Sequence, residues 1–197
     1  MSHTAVIAGV GPGLGESLAR KFAAEGCDIA LFARSGEYIE ALAEDLPGTG
    51  EAVAVETDLT AGDQIRSGFE TVRSTLGPVD ILVNHASAAS WTGLMDTSVE
   101  EFENSWAVNG RGAFICSQEA VGDMLDGSGG TVLFTGATSA VRSLGGAIGF
   151  TAAKFAARGM AMDIAQEYGS EGVHVAHVVI DGQIDSPGAR ERGPDRD

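Results

Sequence analysis

The stretch Gly9-Val10-Gly11-Pro12-Gly13-Leu14-Gly15 sets four glycines between an apolar run and a helical pattern. Residues without a Cβ let the backbone turn tightly and approach a diphosphate, whose charge then meets the N-terminus of the next helix. The spacing G-x-G-x-x-G fails in either register, because Leu14 or Glu16 stands at its last position. G-x-x-x-G-x-G fits, through Gly9, Gly13 and Gly15, and a purely structural strand-to-helix turn is the other reading of such a stretch. Ala33-Arg34 closes the second apolar run. An acid at that point grips a ribose 2′-hydroxyl, whereas a cation suits a 2′-phosphate. Much later, Lys154 follows Phe150 by one helical turn, so the two side chains share a face. A lysine inside the apolar, small-residue stretch FTAAKFAARGMAM is not a mere solvating charge. These residue types suit capture of a phosphate-bearing ligand.

The elements that must position them alternate regularly. TAVIAGV (Thr4–Val10) reads as a strand and LGESLARKFAAEG as a helix ending at Gly26. Strand CDIALFA, helix EYIEALAEDL, strand EAVAVETD and a helix over 61–76 follow, then strand VDILVNH. After a loop, FENSWAVNGRGAFICSQEAVGDML carries a long helix, GTVLFTGA is the fifth strand, Ile148–Tyr168 the next helix and VHVAHVVI the sixth strand. The strands are nearly continuously apolar, as in a parallel sheet covered on both faces. The expected fold is therefore one doubly wound α/β domain of the Rossmann type over residues 1–187. From Asp181 the chain is charged and rich in Gly and Pro, and residues 188–197 are expected to form a disordered tail.

A chain of 197 residues with 44% hydrophobic content and mean hydropathy +0.08 suits a compact globular domain. Cys27 and Cys116 lie in apolar segments and read as free buried thiols, with no metal set. The N-terminus lacks a basic start, and its apolar run is broken by glycines and a proline, which argues against a signal peptide or spanning helix and for a cytoplasmic location. A net charge of −16 repels nucleic acid and anionic membranes, so neither is an expected partner. Lys21 and Lys154 are the only lysines; a high-salt cytoplasm selects such a balance, and a GC-rich genome produces the same arginine bias.

The Gly9/Gly13/Gly15 turn resembles that of the short-chain dehydrogenase/reductase family, T-G-x-x-x-G-x-G, with Ala8 in place of the threonine. Further landmarks recur in order. Asp58 in TDL matches the aspartate beside the adenine ring, and Asn84 and Ala86 in NHAS match the Asn-Asn-Ala-Gly segment. Asn109 in AVNGRGAF matches the helix asparagine, and IDGQIDSP matches the Pro-Gly segment passing the nicotinamide, with Gly182 kept. The resemblance covers about residues 4–187. It implies a nicotinamide dinucleotide held by Gly9, Gly11, Gly13, Leu14, Gly15, Arg34, Asp58, Leu59, Asn84, Ala86, Lys154, Gly182 and Ile184. Arg34 favours NADP(H) over NAD(H), and Pro12, where NADP enzymes often carry another cation, weighs the other way.

The catalytic positions are altered. In the family, serine orients the substrate carbonyl, tyrosine moves the proton, lysine binds ribose and lowers the tyrosine pKa, and asparagine holds a relay water. Asn109 and Lys154 match, but Phe150 fills the tyrosine position and Ala137 the serine position, with Thr138 and Ser139 just after it. Ser139 is the hydroxyl carried forward as a candidate, and His85 is the nearest titratable side chain. The chain thus looks like an atypical branch with Phe for Tyr. Family members usually run on past the sixth strand, so a missing last strand, an exposed sheet edge and an unreadable substrate are expected. The family's dimer faces would be the helices around 109–123 and Ile148–Tyr168, making a homo-oligomer the default. An NADP(H)-dependent oxidoreductase acting on a carbonyl or alcohol with an altered proton donor is the first functional reading. A non-catalytic nucleotide-binding regulator or scaffold is the second, and a defective fragment the third.

Overall fold

The computed structural model describes residues 2–182, 184, 185 and 190. Its strands are β1 (Thr4–Ala8), β2 (Asp28–Ala33), β3 (Ala52–Glu56), β4 (Ile81–Asn84), β5 (Gly130–Ala137) and β6 (Val173–Ile180). The α-helices between them are α1 (Leu14–Ala24), α2 (Gly36–Glu44), α3 (Gly62–Thr75), α4 (Val99–Trp106), α5 (Ala113–Asp126) and α6 (Ile148–Tyr168). All strand pairs are parallel, in the order β3-β2-β1-β4-β5-β6. This is the doubly wound Rossmann order, with its switch point between β1 and β4, where a ligand crevice opens at the strands' carboxyl ends.

Because neighbouring residues of a strand point to opposite faces, each apolar run builds two cores. Val6, Ala30, Phe32, Leu82 and Phe134 face α3, α5 and α6, while Ile7, Ile29, Leu31 and Val83 face α1 and α2. Phe32 meets Phe69 of α3 edge to face, with ring centroids 5.4 Å apart. Arg73 ties α3 to α5 through Asp123 (2.8 Å) and Glu119 (2.9 Å), and its guanidinium lies over the Phe69 ring.

Two details differ from the sequence reading. β1 ends at Ala8, because Gly9 turns the chain with φ +106°. The long helix is interrupted: Ala107–Gly112 winds as a π-helix between α4 and α5. The start of α4 carries a capping box, Ser98 accepting from the Glu101 N–H (3.1 Å) while Glu101 accepts from the Ser98 N–H (2.9 Å). β6 ends the sheet among the described residues. The expected tail 188–197 lies outside the described residues except Arg190, which pairs with Asp185 at 2.6 Å. Among the described residues, no helix is long and apolar enough to cross a membrane.

Candidate active site

The first wall of the site is the glycine turn. The N–H groups of Gly9 and Val10 donate to the Phe32 carbonyl at 3.0 and 2.9 Å, so the turn leans over the end of β2. From the other side, the N–H groups of His85 and Ala86 donate to the Ala8 carbonyl at 3.0 and 2.7 Å. That pulls the β4 exit so close that a Cβ on Gly9 would stand 2.4 Å from the Ala86 backbone. A Cβ on Gly15 would lie 2.8 Å from the Gly9 carbonyl oxygen. Gly13, at φ +135°, is the N-cap of α1 and offers no side-chain cap, so the helix N-terminus meets the cleft through backbone alone.

A cleft of about 590 Å³ runs from this turn across the ends of β2 and β3. It brings together Gly9, Gly11, Leu14, Gly15, Arg34, Asp58, Leu59, Ala86 and Ile184, all candidates from the sequence. Asp58 accepts from the N–H and hydroxyl of Thr60 at 2.9 and 2.8 Å, and these bonds, the N–H foremost and the Arg34 charge adding least, hold its carboxyl below the usual range against the opposing effect of burial. Gly13 and Gly182 do not line the cleft.

Against the cleft, and sharing Leu59, Ala86 and Val108 with it, lies a small, partly open pocket of about 10 Å³ lined by Asn84, Asn109, Thr135 and Lys154. Lys154 is 5% exposed, and its Nζ donates to the Thr135 carbonyl at 3.0 Å. Burial pushes its ammonium down to about 8. Nζ lies 5.6 Å from the Phe150 ring centroid, and the Trp91 ring packs against the same ring, centroids 5.6 Å apart and tilted by 51°. Asn109 sits in the π-helix, where the extra residue per turn rotates it inward; its Nδ2 donates to the carbonyls of Ala88 (2.7 Å) and Ser105 (2.9 Å). Its buried Oδ1 has no hydrogen-bond partner among the described residues.

The polar floor is held by β5. Thr135 Oγ1 donates to the Asn84 carbonyl (3.2 Å), which leaves it to accept from His85 Nδ1 at 3.1 Å. Burial first, and the Lys154 charge second, push the His85 imidazole down to about 4, so it is neutral at physiological pH. Asn84 Nδ2 donates to Ser117 Oγ at 3.0 Å.

Ser139 is not brought to the others. It is buried in the 3-10 turn Thr138–Ala140 after β5 and lines neither cavity, while the Thr138 hydroxyl is bonded to the Asp181 carboxylate. Neither tyrosine lines the cleft or the pocket. Tyr38 of α2 donates to Glu16 at 2.7 Å, and Tyr168 is the last residue of α6. Sequence reasoning passed over Thr135, Ser117 and Trp91. Thr135 and Ser117 look like ordinary element residues, and no spacing rule pairs Trp91 with a ring 59 positions later.

A doubly wound sheet with a glycine turn at its switch point and a buried lysine behind it defines a dinucleotide-binding domain. The chain belongs to the short chain dehydrogenase family, whose model matches residues 3–197. It is 32% identical over 181 residues to the uncharacterized oxidoreductase YuxG of Bacillus subtilis, covering 90% of this chain and 26% of that protein's length. It is 30% identical over 179 residues to the 3-oxoacyl-[acyl-carrier-protein] reductase FabG of Staphylococcus epidermidis, covering 89% of this chain and 72% of that one. The structure of L-sorbose reductase from Gluconobacter frateurii, complexed with NADPH and L-sorbose, superposes with a TM-score of 0.91 at 26% identity, over 98% of this chain and 76% of that one.

Proposed function

We propose that the protein is an NADP(H)-dependent oxidoreductase that interconverts a carbonyl and an alcohol, with a proton donor other than the tyrosine of its family. The observation that carries this reading is the single cleft joining the glycine turn, Arg34 and the wall that Lys154 backs. The space that a Cβ on Gly9 or Gly15 would fill, beside an uncapped helix N-terminus, suits a diphosphate. Arg34, directly after β2, suits a 2′-phosphate, and Asp58 the adenine end. Lys154, with Asn84 and Asn109 beside it, suits the nicotinamide ribose. When bound, the cofactor supplies or accepts a hydride. The protein residues orient it, exclude water and manage the proton.

Phe150 in the tyrosine position supports placing the chain in an atypical branch of the family. The two free buried thiols, Cys27 and Cys116, suit a reducing cytoplasm. Exposed Phe114 on α5 and Phe155 and Met162 on α6 lie on the two long helices through which a homo-oligomer would pack.

Fluorescence titration with NADPH and NADH tests the cofactor assignment. Arg34→Ala should weaken NADPH binding by about 10–100-fold, the value of one charged hydrogen bond, and change NADH binding little. Equal losses for both nucleotides would remove Arg34 as the discriminator, and binding of neither by the wild type would sink the reading.

A further inference from the structure

We propose that Lys154 itself delivers the proton to the substrate oxygen during carbonyl reduction, directly or through one water, in place of the absent phenol. The inference rests on the oxidoreductase reading above and names the donor that reading leaves open.

The titratable side chains that line the cleft and the inner pocket, among the described residues, are few. Arg34 does not release its proton in a protein. Asp58 is ionised and lies at the β3 end of the cleft, tied to Thr60. His85 is neutral, with Nδ1 committed to Thr135. The Cys116 thiol, at the back of the pocket, is pushed up to about 12 by burial, which makes it too weak an acid. Lys154 remains.

Its geometry suits the task. An ammonium has three N–H donors, and one is spent on the Thr135 carbonyl. No carboxylate within 4.0 Å pairs with Lys154 among the described residues. Toward Phe150 there is a hydrocarbon ring where the family places a hydroxyl, so no phenol stands between the amine and a substrate. In an ordinary member the lysine acts through tyrosine; here it has no tyrosine to act through.

The step balances simply. The carbonyl carbon gains a hydride from a reduced nicotinamide, the C=O π pair moves onto oxygen, and that oxygen takes a proton from Nζ as the N–H bond breaks. An alcohol and an oxidised nicotinamide result, and the neutral amine regains its proton from solvent. With a titration point near 8, the group is mostly protonated at neutral pH yet acidic enough to give the proton up.

Among the described residues, the charged or titratable groups around Lys154 are His85 after β4, Cys116 of α5, His177 on β6 and Arg158 one turn along α6. Burial, followed by the Arg158 and Lys154 charges, lowers the His177 imidazole as well. Both histidines are therefore neutral above pH 7, and one inflection is expected there.

The test uses the whole protein with NADPH and three probes: acetoacetyl-CoA, L-sorbose and benzaldehyde. With only two lysines in the chain, 13C-lysine NMR resolves Lys154 directly, its signal assigned by its loss in Lys154→Met. Without any substrate, that signal should titrate near pH 8. The reduction rate should be flat below this midpoint and fall tenfold per pH unit above it, while the reverse oxidation rises and then levels. Lys154→Met, and Lys154→Arg as a second variant that keeps the charge, should each lower kcat by about 10²–10⁴-fold. A rate limb that does not follow the NMR midpoint, or turnover surviving in Lys154→Met, overturns the inference and leaves the oxidoreductase reading standing. NADPH binding without turnover of any probe at any pH overturns both.

Discussion

Lys154 burdens the folded state, and the size of that burden can be worked out. Its ammonium falls from an ordinary value of 10.5 to about 8, and burial is the cause. Between these two values the unfolded chain keeps a proton that the native protein has lost, so stability rises with pH across that window. At 1.36 kcal/mol per pH unit, the whole interval amounts to about 3 kcal/mol, and the part between pH 7 and 10 to about 2.5 kcal/mol. Lys154→Met removes the titration and keeps most of the volume, at the cost of the hydrogen bond to the Thr135 carbonyl. The wild type should therefore gain about 2.5 kcal/mol relative to Lys154→Met between pH 7 and pH 10, whatever the offset at any one pH. Urea unfolding of both proteins at pH 7, 8, 9 and 10 without nucleotide measures this. Tyr38, whose phenol is raised by burial and by its bond to Glu16, loses stability as pH rises past 10, but equally in both proteins. A stability difference that does not change with pH, or a wild type that weakens relative to the variant as pH rises, would refute the reasoning.

Two further predictions concern the scaffold. Gly9→Ala should cost more than about 2 kcal/mol in urea unfolding and abolish NADPH binding, since both the positive φ and the 2.4 Å approach to Ala86 forbid a Cβ; Gly11→Ala, with nothing within 4 Å, should leave stability within about 0.5 kcal/mol. Arg73→Met should lower stability by about 2 kcal/mol in urea unfolding, because it leaves the carboxylates of Glu119 and Asp123 together without their shared cation.

The sheet was legible because a parallel strand covered on both faces writes a short, continuous apolar run, and six such runs stand between helical patterns. Much of the cleft was legible for a local reason: Gly9, Arg34 and Asp58 sit at or just past the exit of a strand and Gly15 in the first turn of the helix after β1, so strand order alone brings them together. The inner end was less so. The π-helix that turns Asn109 inward differs from an α-helix by one hydrogen-bond step, which AVNGRG does not announce. Trp91 reaches Phe150 through a loop whose path depends on the folded chain, its Thr92 carbonyl accepting from the Ile148 N–H at 3.2 Å. Ser139 lies two positions from the serine site in sequence, and the tight turn after β5 buries it away from both cavities.

The junction of β1 with β4 has a consequence for how the chain is made. β1 finds β2 about two dozen residues later, but its other neighbour, β4, arrives only after β3 and α3 have been completed. The clasp between Gly9 and Ala86 therefore closes a long loop, and neither half of the domain contains the nucleotide cleft by itself. A ligand lying across that seam binds only the assembled protein, and at a hundred times its dissociation constant it would add about 2.7 kcal/mol to the stability of the assembled state. The dinucleotide would then act as a late fastener of the fold, drawing together a first half already waiting and a second half just synthesised.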